Sequence, residues 1–363
     1  MDEWTRPEGG PGEPEVQPPK QKNKLGWSLL FLVIAGASIW AVTAQSRSFS
    51  LAGMLESLKG PHAPWILAAV GSMLAYIYLE GFALLRICRD FGYPRRPRKG
   101  FLYAAADIYF SAITPSATGG QPASAFFMLR DGIPGAVVTM ALLANLVMYV
   151  LSVLVLGLVC GILRPDVFLC FGTVSKILIF CGAAVQAGLL AALVLLLRNE
   201  QLLHRLSDGA LKALYKLKIL RHVSRRRRKL RKTMEEYRTC TRMLSGRWKL
   251  MVQVFFLNLL QRMSIVAVTV FTFLATGGSW GQVADAWCMQ CFTLLGANCI
   301  PVPGAMGVTD YLLLDGFGKM MPESAAVNLE LLSRSVSFYS CILICGLTVL
   351  IKYCMMKRER RAR

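Results

Sequence analysis

Ser111-Ala-Ile-Thr-Pro-Ser-Ala-Thr-Gly-Gly-Gln-Pro-Ala-Ser124 is the stretch that decides the fold, because it interrupts an otherwise apolar segment. Its two prolines each remove a backbone N–H donor, and Gly119 and Gly120 relax the chain, so one continuous helix is excluded. At membrane depth, such broken backbone is tolerated only where it is buried in protein or lines a wet cavity. The segment 101–129 is therefore predicted to form a re-entrant helical hairpin.

A second apolar stretch, 283–318, repeats this design. Its central part reads Leu294-Leu-Gly-Ala-Asn-Cys-Ile-Pro-Val-Pro-Gly-Ala-Met-Gly-Val-Thr-Asp310 and is again rich in Pro and Gly. Counting the spans places this hairpin on the opposite face of the membrane, which is typical of transporters with inverted topology and a site near the midplane. A half-helix starting at Pro122, or near Thr309, would present unpaired N–H groups and a positive dipole end to a phosphate.

Composition places the rest of the chain in a lipid bilayer. Of the 363 residues, 55% are hydrophobic and 17% are charged, which is more apolar sequence than one water-soluble core can bury. Several uncharged runs reach the roughly 20 residues that a helix needs to cross about 30 Å of hydrocarbon. The predicted fold is an all-α polytopic membrane protein with about six transmembrane helices besides the two opposed re-entrant hairpins. The predicted spans are 25–44, 65–85, 136–163, 167–197, 250–275 and 331–351.

The distribution of basic residues predicts the orientation. Cytoplasmic loops carry an excess of Lys and Arg. With the N-terminus inside, 34 of the 41 Lys and Arg residues fall on the cytoplasmic side. Both termini of a multi-pass cell-membrane protein are therefore predicted to be cytoplasmic. Residues 1–24 form a disordered tail by composition, 25–351 the transmembrane domain and 352–363 a basic tail.

The largest predicted cytoplasmic piece is the basic loop 198–249, which holds 17 basic and four acidic residues. An amphipathic stripe in its first part suits the inner membrane surface, where each basic residue contributes about 1 kcal/mol of attraction to anionic lipid. Two interpretations stay open: recruitment of anionic phospholipid, or a topology anchor with a solvated face. Nucleic-acid binding is the weaker alternative.

The motifs resemble a known family. The run Ile113-Thr-Pro-Ser-Ala-Thr-Gly-Gly-Gln-Pro-Ala123, then Gly132-Ile133 and Pro301-Val-Pro-Gly-Ala-Met-Gly307, resembles the transmembrane domain of lysylphosphatidylglycerol synthases of the multiple peptide resistance factor type. The resemblance implies a flippase-like domain that moves aminoacylated phospholipid, such as lysyl-phosphatidylglycerol, across the cell membrane and so gives resistance to cationic antimicrobial peptides. The residues that match the first family motif are Thr114, Pro115, Gly119, Gly120, Gln121 and Pro122.

The second motif departs from the family pattern, which is Pro-x-Pro-Gly-Gly-x-Gly followed by an acidic residue, commonly Glu. Here Ala305 replaces a Gly, and the shorter Asp310 lies near the acidic position. In full-length relatives a following soluble domain transfers the lysyl group, whereas this chain ends at Arg363, so the sequence favours transport over enzymatic activity. Two alternatives are a phosphatidylglycerol lysyltransferase and a non-transporting scaffold for a separate lipid-modifying enzyme.

Polar residues inside predicted spans complete the candidate site, because they are costly in lipid and tend to face a cavity or a partner. Asp107 and Thr114 share one face of the first hairpin, whereas Arg262 and Arg334 could pair with a lipid phosphate or with a buried carboxylate. The alternative is a structural contact between helices. Glu80 and Asp285 are expected to snorkel to an interface. The predicted headgroup site comprises Asp107, Thr114, Pro115, Thr118, Gly119, Gly120, Gln121, Pro122, Arg262, Pro301, Pro303, Gly304, Gly307, Asp310 and Arg334.

No cofactor or metal is predicted. The three histidines are not at metal-ligand spacing, and Cys288-Met-Gln-Cys291 has no second Cys pair to complete four ligands. The cysteines in apolar runs are therefore interpreted as small core residues. The expected partners are the membrane, an anionic or aminoacylated phospholipid and a separate lipid synthase, and the sequence leaves a homo-oligomer open.

Overall fold

The computed structural model describes residues 63–114, 117–198, 246–299, 305 and 307–361. These residues belong to one compact unit of the chain. The predicted span 25–44, the tail 1–24 and nearly all of the basic loop 198–249 lie outside the described residues. The same holds for four of the predicted site residues, Pro115, Pro301, Pro303 and Gly304.

The described part of the chain is built of helices and contains no β-strand. A short 3₁₀ turn spans Trp280–Gln282. A π-helical turn, Ser335–Ser340, joins the last two helices of the described part. The α-helices are α1 (Ala63–Asp90), α2 (Pro97–Ile113), α3 (Gly120–Arg130), α4 (Gly135–Leu163), α5 (Pro165–Cys170), α6 (Thr173–Arg198), α7 (Trp248–Ala275), α8 (Val283–Ala297), α9 (Val308–Phe317), α10 (Glu323–Arg334) and α11 (Cys341–Arg361).

The prediction of an all-α polytopic membrane protein is confirmed. Among the described residues, five helical segments are long and apolar enough to cross a bilayer. Their outward faces carry large apolar side chains, for example Phe180, with an exposed fraction of 74%, and Leu163, with 70%. Such exposure is unfavourable in water and is expected where lipid surrounds the protein. The five segments are Ala63–Asp90, Gly135–Leu163, Thr173–Leu195, Trp248–Ala275 and Glu323–Met356.

One predicted span differs in the structure. The segment 167–197 was predicted as a single helix, but it is divided at Phe171 and Gly172 into the short helix α5 and the long helix α6. The physical reason is a tertiary contact that hydropathy does not encode. The Asp315 carboxylate accepts the Gly172 N–H at 2.8 Å and so stabilises the broken backbone.

Both Pro- and Gly-interrupted segments fold as helical hairpins. In the first, α2 packs against α3, and in the second, α8 packs against α9. With 17 residues, α2 is the longest helix of the two hairpins and extends about 25 Å, less than the roughly 30 Å of hydrocarbon. The hairpin shape is therefore as expected, while entry and exit on one membrane face remain a prediction.

The first hairpin is held against α1 and α11 by close helix contacts. A Cβ on Gly81 of α1 would lie 2.4 Å from the Gly100 carbonyl carbon of α2, so the backbones touch where neither residue has a side chain. Met73 and Ile77 of α1 pack beside this contact with Val268 of α7 in one buried apolar cluster. This packing fixes the position from which α2 presents its polar face.

Candidate functional site

The break in the first hairpin is organised by Thr114. Its hydroxyl donates to the Phe110 carbonyl at 2.6 Å and accepts the Gly119 N–H at 2.9 Å. One side chain thus satisfies the last turn of α2 and the residue before α3. At the tip, Ala117 has a φ of 53°, in the left-handed region that favours glycine. Thr114 therefore has a structural role in the turn.

Gly120 explains why the motif contains two glycines. A Cβ on Gly120 would lie 2.0 Å from Asp107 Oδ1 and 2.1 Å from Ser111 Oγ, far inside van der Waals contact. The first turn of α3 is therefore seated directly on the Asp107 carboxyl group. A carboxylate in this place is favoured by the positive end of the helix dipole.

Asp107 is almost fully buried, with an exposed fraction of 6%. Its Oδ1 accepts from the Ser111 hydroxyl at 3.2 Å, and its Oδ2 accepts from Gln121 Nε2 at 2.9 Å. The motif glutamine therefore orients the buried carboxyl group from the opposite helix of the hairpin. Thr118 and Pro122 of the same motif are exposed.

Glu80 joins this group, contrary to the prediction that it snorkels to an interface. It is partly buried on α1, its carboxyl group lies beside that of Asp107, and its Oε2 accepts from Gln261 Nε2 at 2.9 Å. Sequence position alone placed Glu80 near a helix end, but α1 continues to Asp90. The signal that could have identified Glu80 is its position one residue before Gly81, the point where α1 and α2 touch.

Arg262 on α7 faces the same group and is almost completely buried, with an exposed fraction of 3%. Its guanidinium lies between two tyrosine rings, 4.8 Å from the centroid of Tyr76 and 4.4 Å from that of Tyr149. The Nε and Nη2 atoms have no hydrogen-bond partner among the described residues. Two buried donors on a cation are thus available for an anionic ligand.

The neighbouring turn of α7 continues the polar face. Asn258 is buried and donates to Asn145 Oδ1 at 3.0 Å, which links α7 to α4. Its own Oδ1 and the Oε1 of Gln261 have no hydrogen-bond partner in the described part of the chain. We call the group formed by Glu80, Asp107, Gln121, Gln261 and Arg262 the first cluster.

The second hairpin carries a related group around Asp310. Asp310 Oδ2 accepts the Gly307 N–H at 2.9 Å and caps α9, while Oδ1 pairs with Arg334 Nε at 2.5 Å. The side chains of Arg334 and Asp310 have exposed fractions of 12% and 33%. The Glu330 carboxyl is hydrogen-bonded to Asp310, and the Arg334 guanidinium lies 5.4 Å from the centroid of the Phe338 ring. Asp310, Glu330 and Arg334 form what we call the second cluster.

The expectation that the half-helix N-termini would hold a phosphate stays a prediction, which the structure makes less favourable. One helix begins at Gly120 rather than at Pro122, and the other begins at Val308, near Thr309 as predicted. Each N-terminus already has a carboxylate of this chain, Asp107 at α3 and Asp310 at α9. A phosphate there would meet like charge. The better anion position among the described residues is Arg262.

The structure thus brings together Asp107, Gln121 and Arg262 of the predicted site, and separately Gly307, Asp310 and Arg334. The family model described as "Lysylphosphatidylglycerol synthase TM region" matches residues 27–345, which include both clusters. The chain belongs to the lysylphosphatidylglycerol synthase transmembrane-region family. No curated protein gives a significant match.

In this member of the lysylphosphatidylglycerol synthase transmembrane-region family, Cys288 and Cys291 are buried in an apolar cluster beside Cys160. The residues that the structure describes contain no group of three or more His, Cys, Asp or Glu side chains placed to hold a metal ion.

Asp285, near the start of α8, pairs with Arg164 at 2.5 Å. The first cluster offers carboxyl, amide and guanidinium groups for ionic contacts and hydrogen bonds.

Proposed function

We propose that this chain is a lipid flippase that moves an aminoacylated phospholipid, with lysyl-phosphatidylglycerol as the leading candidate, across the cell membrane. The observation that carries the proposal is the buried guanidinium of Arg262, which lies near the Glu80–Asp107 pair. Its Nε and Nη2 atoms have no hydrogen-bond partner among the described residues. An aminoacylated phospholipid offers both complements, a phosphate for the arginine and ammonium groups for the carboxyls. Family membership supports a lipid of this class.

The arrangement of the two hairpins supports movement of the headgroup rather than static binding. At each hairpin, an aspartate of the hairpin lies near a glutamate and an arginine from other helices. Paired breaks of this kind are typical of transporters in which one site is reached alternately from two sides. In the mechanism we propose, lipid enters laterally, its headgroup binds the first cluster, and the hairpins open in turn.

Cells that receive lysyl-phosphatidylglycerol from a separately expressed synthase domain provide the test. The outer-leaflet fraction of the lipid is measured with a membrane-impermeant amine reagent, with and without this chain. We expect the fraction to rise with the chain and to fall back to the background level in Arg262→Gln. The matched control is Arg164→Gln, which removes an arginine outside both clusters and should leave the rise unchanged.

Resistance to cationic antimicrobial peptides should follow the outer-leaflet fraction in the same strains, because a cationic outer leaflet repels cationic peptides. An unchanged fraction at normal chain abundance would contradict the flippase proposal and favour a scaffold. An increase in total lysyl lipid without the added synthase domain would instead favour the lysyltransferase alternative.

A further inference from the structure

The Glu80–Asp107 carboxyl pair has a chemistry that phosphate binding does not require. We propose that this pair is a proton-exchange site, in which an ammonium group of the lipid headgroup replaces the proton that the two carboxyl groups share. Lipid and proton would then cross the membrane in opposite directions. The inference rests on the proposed function and adds the ion to which the transport is coupled.

The first step is the contact between the two acids. The carboxyl groups of Glu80 and Asp107 are direct neighbours where α1 packs against α2. Two carboxylates this close cannot both stay ionised without a cation between them. The pair therefore holds one proton and one negative charge.

The second step concerns the groups that hold the pair in place. Ser111, Gln121 and Gln261 each donate a hydrogen bond to one of the carboxyl oxygens. All three are neutral donors, so they fix the two carboxyl groups without neutralising the charge. The pair is preorganised and can exchange its proton for another cation.

One arginine and several tyrosine and cysteine side chains are packed around the pair. Arg262 is the cation among them, and Tyr76, Tyr149, Cys341 and Cys345 are the remaining ionisable groups near the pair or near Arg262. Arg262 forms no ion pair with any described carboxylate, and its Nε and Nη2 lack partners there. A phosphate can bind this arginine while an ammonium group of the same headgroup binds the carboxyl pair.

The exchange conserves atoms and charge. The O–H bond of the protonated carboxyl group breaks, its proton passes to water, and one ammonium group takes its place between two carboxylates. Lysyl-phosphatidylglycerol carries one phosphate and two ammonium groups, a net charge of about +1 at mildly acidic pH, where both amines are protonated. Exchange of one lipid for one proton therefore moves no net charge across the membrane.

The second cluster is a weaker candidate for this exchange. Its Asp310–Glu330 pair resembles the first, but Asp310 is already bound by Arg334 Nε and by the Gly307 N–H. A headgroup ammonium would have to displace an ion pair of the protein. The first cluster has no such competitor among the described residues.

The experiment uses the full-length chain in vesicles containing lysyl-phosphatidylglycerol, with a pH-sensitive dye trapped inside. A pH gradient is imposed, and the amine-reactive fraction of the lipid in the outer leaflet is measured at equilibrium. One-for-one exchange predicts a change of about tenfold in the lipid ratio between leaflets for each pH unit, with lipid accumulating on the acidic side. A potassium diffusion potential should have no effect, because the exchange is electroneutral.

Glu80→Gln should lose both lipid translocation and the response to the pH gradient, since the headgroup ammonium binds between two carboxylates and an amide leaves only one. The matched control Glu330→Gln should keep the tenfold response. A wild-type lipid ratio that ignores the gradient would overturn the exchange while leaving the flippase proposal standing, and a gradient response that survives in Glu80→Gln would also overturn it. A lipid ratio that equals that of protein-free vesicles would contradict the flippase proposal and the exchange together. The wild-type measurement stands even where a variant does not fold.

Discussion

The two hairpins use the same residue types in opposite ways. In the second, Arg334 is paired with Asp310 at 2.5 Å, and Asp310 also caps its own helix, while Nη2 is the one buried nitrogen of Arg334 that lacks a hydrogen-bond partner among the described residues. In the first, Asp107 bonds to neutral donors and lies beside Glu80, whereas Arg262 lies between tyrosine rings with two nitrogen atoms unpartnered among the described residues. On this difference we assign headgroup binding to the first cluster and a structural role to the second.

Gly120→Ala should have the largest effect, because it inserts a methyl group 2.0 Å from Asp107 Oδ1. Relief of this clash requires the first hairpin to open, at a cost of about 1–3 kcal/mol. We expect the outer-leaflet fraction of lysyl-phosphatidylglycerol to fall to background. Gly71→Ala is the control, because nothing lies within 4 Å of a Cβ there. Normal transport by Gly120→Ala would mean that the contact between α3 and Asp107 is not needed.

A pair of double-mutant cycles tests the contrast between the clusters directly. For Asp310→Asn with Arg334→Gln, we expect a coupling energy of about 1–2 kcal/mol, below the range of fully buried pairs because Asp310 is one-third exposed. For Asp107→Asn with Arg262→Gln, we expect less than about 0.5 kcal/mol, since no direct bond joins them. The measurement is the free energy of unfolding in detergent. Equal coupling in both cycles would remove the distinction between the clusters.

Gln121→Glu tests the donor that orients Asp107. The amide Nε2 donates to Asp107 Oδ2 at 2.9 Å, and a carboxylate in its place cannot donate. We expect a loss of about 1 kcal/mol of stability at neutral pH, which is recovered as falling pH protonates the new side chain and restores a donor. The pH dependence of thermal unfolding and of transport checks this. Stability that falls further in acid would contradict the assigned bond direction.

The smallest effect is expected at the two hairpin tips. Ala117 and Ala305 both have positive φ, 53° and 51°, where glycine is relaxed. Replacement by glycine relieves a strain of about 1 kcal/mol and costs nearly as much in chain entropy. We therefore expect Ala117→Gly and Ala305→Gly each to raise the free energy of unfolding by at most about 0.5 kcal/mol. A destabilisation above that size at either tip would show that the alanine methyl group makes a necessary contact.

Sequence patterns were sufficient for the helical fold, for the position of both hairpins and for Asp107, Gln121 and Arg262 as candidates. Hydropathy and Pro/Gly spacing encode these features locally. The break at Gly172 was missed because it depends on Asp315, which is distant in sequence. Glu80 was assigned to an interface because its partner, Asp107, comes from another helix. Sequence also does not show that both half-helix N-termini already have a carboxylate, which makes the predicted phosphate position there less favourable.

The position of Ala305 also shows how a departure from a family pattern can be interpreted physically. A glycine is usual there in the family motif, and the backbone of this chain has the positive φ that explains the preference. An alanine at this position therefore adds local strain. The neighbouring Asp310 still caps α9 despite its short side chain.

Native mass spectrometry of the purified chain measures bound lipid and so tests directly whether the headgroup binds at Arg262. The wild-type chain, Arg262→Gln and Arg334→Gln are compared after equilibration with lysyl-phosphatidylglycerol. We expect Arg262→Gln to lose most of the specifically bound lipid, whereas Arg334→Gln should keep it despite a lower unfolding temperature. Loss of bound lipid in Arg334→Gln with full retention in Arg262→Gln would contradict headgroup binding at the first cluster and place the headgroup at the second hairpin.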